Sequence, residues 1–291
     1  MTSEPGAGPN ADQIRYWNDE SGPKWVALHS MIDDQIAPLG LEAIERADVQ
    51  AGESVLDIGC GCGATSLELA ERVGPGGSVT GLDVSEPMLA RARERAAECG
   101  LAQLTFVNGD AQTFAFDAGS RDLVYSRFGV MFFEDPTAAF ANLRSALRPG
   151  GRVAFACWQE VRRNPWMFVP LMAVAQHLPL PTPPAEGGPG PFAFADPEHV
   201  HGILSRAGFA HIEVANHEAE LALAGGSNLE QVVDFVLQMG PVGQALRESE
   251  TTVRANAREA VQEALEPYRT SDGVRLAGAT WIVSASNSRP E

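Results

Sequence analysis

Apolar and polar positions follow two different rhythms between residues 51 and 158. Short apolar runs recur as "SVLDIG" (54–59), "SVTGLDV" (78–84), "LTFVNGD" (104–110), "RDLVYSRF" (121–128) and "GRVAFACW" (151–158), and each has the length and composition of a strand. Between them, "ATSLELAERV" (64–73), "SEPMLARARERAAECG" (85–100) and "PTAAFANLRSAL" (136–147) bring their apolar residues round at helical spacing. In the second helix Met88, Leu89, Ala92 and Ala96 share a face, with Ser85 as N-cap, Pro87 in the first turn and Gly100 as C-cap. Glycine and proline break the chain at "GPGG" (74–77) and "RPGG" (148–151). Strands separated by helices need parallel crossovers, which predicts a doubly wound α/β sheet with its ligand site beyond the carboxyl ends of the strands.

The flanks read differently. Residues 11–48 are amphipathic and helical, and "LPLPTPPAEGGPGPF" (178–192) predicts an extended loop. A helix over 197–209, a strand over 210–223, a mainly helical stretch over 228–268 and a last strand over 279–286 complete the pattern. The expected organisation is one domain: a disordered lead-in and N-terminal helical cover (1–50), a core (51–158), and a remainder (159–291) holding the loop, a helical lid and the last two strands.

Composition narrows the function. The chain is 44% hydrophobic and 20% charged, ordinary for a globular protein, and it contains no uncharged apolar run long enough to span a membrane. A net charge of −17 argues against nucleic acid and anionic membrane partners, and the densest basic run, "RARERAAE" (91–98), reads as a solvated helix face. The N-terminus lacks the basic and apolar segments of a signal peptide, which makes the cytoplasm the expected location. Four cysteines are too few for a disulfide framework, and Cys60 and Cys62 lack a second pair to complete a metal site.

The chemistry concentrates at "DIGCGCGA" (57–64). A strand ending in Gly59, with Gly61 and Gly63 leading into a helix, lets bare backbone approach a ligand. Gly59, Gly61 and Ala64 also satisfy the dinucleotide fingerprint, with Asp83 closing the next strand, so the glycines alone leave a nicotinamide-dependent oxidoreductase open. Asp57 two residues before Gly59, Asp110 at the end of "NGD", and "DLVYSRF" leading through a helix to "LRPGGRVAFACW" extend the set.

Together these residues resemble the class I S-adenosylmethionine (SAM)-dependent methyltransferases, in particular the small-molecule branch of the ubiquinone and menaquinone C-methyltransferases. The resemblance covers residues 53–158. It implies a seven-stranded Rossmann-like sheet with a helical N-terminal cover and a helical insertion before the last strand. It further implies that Asp57, Gly59, Gly61 and Gly63 form the cofactor loop, that Asp83 bonds the ribose, and that Val84 and Met88 pack on adenine. Asp110 and the Ala111 amide would take the adenine edge, with Ser126 and Arg127 near the reactive end. The product would be S-adenosylhomocysteine (SAH) and the partner a small-molecule methyl acceptor, with the protein a monomer or homodimer. A non-catalytic SAM-binding protein is the other alternative.

Methyl transfer from a sulfonium needs alignment and a dry site more than it needs acid–base groups. A base is required only for a hydroxyl or acidic carbon, and His29, on the N-terminal cover, is the first candidate, with His177 second. Tyr16, Trp17, Trp25, Trp158, Trp166 and Phe168 in the flanks, and Phe128, Met131, Phe132 and Phe133 after the fourth strand, are candidates for an acceptor pocket. No asparagine–proline–proline–aromatic tetrad follows that strand, which argues against methylation of base or glutamine amino groups. The residues leave oxygen, carbon, nitrogen and sulfur acceptors open.

Overall fold

The computed structural model describes residues 8–180 and 188–288. The start of the expected lead-in and positions 181–187 of the proline-rich loop lie outside the described residues. Strands β1 (Ser54–Ile58), β2 (Ser78–Asp83), β3 (Leu104–Asn108), β4 (Arg121–Arg127), β5 (Leu147–Trp158), β6 (Ala210–Ala222), a two-residue β7 (Arg269–Thr270) and β8 (Gly273–Ser286) form one sheet. Its order is β3-β2-β1-β4-β5-β8-β6, with β7 paired to β8 off that path. The first five strands are parallel, and β8 runs antiparallel to both β5 and β6.

The expected seven strands are therefore the path of the sheet, with one reversal. Their bounds move where pairing overrides local pattern. "RPGG" lies within β5, accommodated by a register shift opposite Arg121 and Leu123, and β8 begins six residues before the run that signals it. The helices are α1 (Ala11–Arg15), α2 (Ser21–Ala47), α3 (Ala64–Val73), α4 (Glu86–Cys99), α5 (Pro136–Ala146), α6 (Pro165–Val174), α7 (Pro197–Arg206), α8 (Leu229–Val236), α9 (Gly240–Ala245) and α10 (Thr251–Leu265). Capping fixes several starts: Asp135 accepts from the Ala138 amide at 2.9 Å, and Asn228 and Gln231 form a reciprocal capping box on α8. Ser85 does not cap α4 with its side chain, because its hydroxyl is committed elsewhere.

Helix α2 decides where the site lies. It crosses the sheet over β4, β5, β6 and β8, burying Ile32, Ile36, Leu39, Ala43 and Ile44, and the Tyr125 hydroxyl of β4 donates to its Gly40 carbonyl at 2.9 Å. From Ile32 onward α2 is therefore part of the core. Gly22 and Pro23 mark a break in the sequence, but Pro23 falls in the first turn of α2, where proline is tolerated, so the helix runs on through it and the break comes earlier, as a π-helical turn at Tyr16–Glu20.

Candidate active site

The site starts where β1 ends. Gly59 turns at a φ of +63°, its amide donates to the Leu82 carbonyl at 2.8 Å, and a Cβ on it would lie 2.6 Å from the Gly129 Cα. Only a bare backbone fits that crossing. Gly61 and Gly63 continue the bend, also left-handed, into α3.

Two of the expected cofactor residues hold this bend from behind. Asp57 is fully buried, and its Oδ2 accepts from Thr65 Oγ1 at 2.8 Å and Ser66 Oγ at 2.6 Å, tying β1 to the first turn of α3. Its Oδ1 is enclosed without a partner. Burial pushes the carboxyl up to about 6, against the two hydroxyl bonds and the Arg127 charge. The Ser126 hydroxyl donates to the Ile58 carbonyl at 2.7 Å and accepts from the Gly129 amide at 3.2 Å. Asp57, Gly63 and Ser126 do not line the cavity in front of the bend.

Gly59, Gly61, Asp83, Val84, Met88, Asp110 and Ala111 do line it. Asp83 receives the Gly61 amide on Oδ2 and the Ser85 amide on Oδ1, each at 2.8 Å, and burial raises its pKa. Asp110 Oδ1 accepts from Asn10 Nδ2 at 2.9 Å and the Gln112 amide at 3.0 Å. A carboxylate has about four acceptor positions, so both keep capacity for hydroxyl or amino donors. Cys60 and Cys62 also border the cavity, but burial holds the first thiol well above its usual range and the second at about 12, so both stay neutral. Bare backbone flanked by two carboxylates at the ends of β2 and β3 suits an amino acid joined to a nucleoside, as SAM is.

Residues 10–20 close over this half. The Trp17 carbonyl accepts from Ser85 Oγ at 2.7 Å, Asn18 Nδ2 donates to the Val84 carbonyl at 2.9 Å, and Asn18 Oδ1 accepts from the Glu86 amide at 3.0 Å. Gly22 permits that docking, since a Cβ there would meet the Trp17 oxygen at 2.0 Å. Asn10, left-handed at φ +63°, also exchanges hydrogen bonds with the Glu134 backbone and carboxylate. The sequence reading missed Asn10 and Asn18. Their signal is weak: asparagine tolerates the left-handed region and bonds backbone readily, but such residues occur in many turns.

The other half of the cavity is aromatic. Trp17, Trp25 and Phe132 meet edge to face, and Phe128, held at φ +62°, stacks on Trp158 with centroids 4.0 Å apart. Trp166 and Met167 extend this wall to the segment spanning α8 and α9. Phe168 does not line the cavity and lies under the Arg162 guanidinium instead. Arg127 does line it, anchored to Asp33 at 2.7 Å, while the other oxygen of Asp33 pairs with Arg95 at 2.9 Å.

His29 is not brought to the cavity. Its Nδ1–H donates to the Val26 carbonyl of its own helix at 2.8 Å, and Arg91 Nε of α4 donates to its Nε2 at 3.4 Å, so both ring nitrogens are engaged. His177 is also away from it, and none of the six histidines lines the cavity.

Known proteins resemble this chain in sequence and in fold. The family described as a methyltransferase domain matches residues 55–151. A nocamycin O-methyltransferase of Saccharothrix syringae is 33% identical over 192 residues, which are 63% of this chain and 69% of that one. A demethylmenaquinone methyltransferase of Shouchella clausii is 38% identical over 112 residues, 38% of this chain and 48% of the relative, in keeping with the quinone-methylating resemblance. Among solved structures, a phosphoethanolamine N-methyltransferase of Haemonchus contortus, crystallised with SAH, superposes with a TM-score of 0.53 at 22% identity. That match covers 87% of this chain but about half, 53%, of the other, and it informs the fold alone. Among the described residues no helix is long and apolar enough to cross a membrane. The glycine bend, the paired strand-end carboxylates and these relatives lead to one conclusion: the chain belongs to the SAM-dependent methyltransferases that act on small molecules.

Proposed function

We propose that the bend at Gly59 and Gly61 seats the methionyl end of SAM, that Asp83 accepts the ribose hydroxyls, and that Val84 and Met88 pack on adenine. Asp110 and the Ala111 amide take the adenine edge. Asp57, Gly63 and Ser126 act one step back, by holding the bend in shape. When bound, SAM supplies an electrophilic methyl group on a sulfonium. The protein's own contribution is placement and exclusion of water: residues 10–20 cover the cofactor, and Arg127, braced by Asp33, presents a fixed cation to the cavity.

The aromatic half takes the bulky ring system of an acceptor and presents an oxygen of it to the methyl group. The wall of Trp25, Phe128, Phe132, Trp158 and Trp166 is the observation that carries this reading. One relative is named as an O-methyltransferase, which agrees with the choice of oxygen. The enzyme acts in the cytoplasm, as a monomer or homodimer, which suits four unpaired cysteines. The test is the Asp83 carboxylate. Losing a hydrogen bond to a charged group costs roughly 1.5–3 kcal/mol, so Asp83→Ala should weaken SAH binding at least about tenfold by calorimetry. Unchanged affinity in a folded variant would remove Asp83 from the ribose site.

A further inference from the structure

Lys24 is the only lysine among the 291 residues, the other basic side chains being arginines, and it stands on the rim of the cavity in the first turns of α2. Three cationic side chains border the acceptor half. Arg127 is paired with Asp33 and Arg247 with Glu20, whereas Lys24 has no ion-pair partner among the described residues. Glu20 lies one helical turn before Lys24, but its charge is taken up by Arg247.

The same wall is poor in bases. No histidine lines the cavity, Glu20 is committed to Arg247, Asp83 and Asp110 hold backbone and Asn10 donors at the cofactor end, and the bordering thiols are held protonated by burial. A site without a free base suits an acceptor that arrives already ionised. On a protein of net charge −17, such an anion needs a local cation to hold it.

We propose that Lys24 anchors an anionic acceptor, an aromatic carboxylate or an equally acidic enol, whose ring system packs on the tryptophan wall. This rests on the methyltransferase reading and adds the charge of the substrate to it. The acceptor oxygen gains the methyl group, the sulfonium departs as a neutral thioether, and the two charges cancel with no proton to remove. Lys24 is thus a positioning and selectivity residue.

The test measures binding to the SAH-loaded protein by calorimetry at pH 7.5. Naphthoate is compared with its uncharged amide, and lawsone, an ionised hydroxynaphthoquinone, with its methyl ether. At least one anion should bind about fivefold or more tightly than its neutral counterpart, the scale of one accessible ion pair. A preference for naphthoate alone identifies a carboxylate acceptor, and one for lawsone alone an enolate. Lys24→Met should abolish the preference without changing SAH affinity, and Lys24→Arg should keep it. Equal binding of anions and neutral forms, no binding of either anion, persistence of the preference in Lys24→Met, or its loss in Lys24→Arg overturns the proposal. Failure of the wild-type protein to take up SAH is a separate outcome, because it overturns the methyltransferase reading as well.

Discussion

Asp57 carries a titration that the fold itself imposes. One oxygen is satisfied by Thr65 and Ser66 and the other is enclosed alone, so the folded protein holds a proton there more tightly than the unfolded chain does. The stabilising contribution is fully present below the ordinary value of 3.8 and is lost as pH rises through about 6. A displacement of that size is worth at most about 3 kcal/mol. Asp57→Asn keeps an oxygen to accept both hydroxyls and removes the titration. Urea unfolding from pH 4 to pH 7 should therefore show the wild type losing roughly 2–3 kcal/mol relative to this variant. A constant difference across that range would mean that the carboxyl titrates normally. The sequence identified Asp57 through its place before the glycines, but the role it implied, as part of the cofactor loop itself, shifts to a support once Thr65 and Ser66 are seen to occupy it.

Among the elements, the N-terminal cover departs most from its expected form. An amphipathic stretch over 11–48 was legible as helix, but its division was not. The first part is a short helix and a π-helical turn docked by Ser85, Asn18 and Asn10, and the second is a continuous 27-residue helix whose middle is core. Those docking bonds join residues 66 to 124 positions apart, beyond the reach of local periodicity. Helix α6 was missed for a different reason: "PWMFVPLMAV" is apolar all round and interrupted by Pro170, so it has no polar face to reveal a period. The division makes a prediction about truncation. Removing residues 1–20 leaves α2 intact and should reduce methyl transfer at least about tenfold, the scale of a misplaced reacting group. Cooperative unfolding and measurable SAH binding should survive. Full activity in the truncated protein would show that the segment only completes the surface.

At the scale of the whole molecule, the parallel half of the sheet and the place of the ligand were readable, because each strand and helix there announces itself by its own period. The long antiparallel pairing of β6 with β8, and which side chains reach the cavity, depend on distant neighbours, as His29 turned towards α4 and Lys24 left at the rim illustrate. Residues 10–20 bond to the turn after β2, to Asp110 and Glu134, and through Glu20 to Arg247 on the opposite wall. Material beneath that segment leaves only when many of these bonds open together, whereas Lys24 at the rim takes part in none of them. The two sites thus differ in how readily they exchange, and this sets a sequence of events in time. SAM enters first and SAH departs last, so in steady-state kinetics SAH should compete with SAM and behave as a noncompetitive inhibitor towards the acceptor. A pattern in which either substrate binds first would mean that the segment opens freely between turnovers.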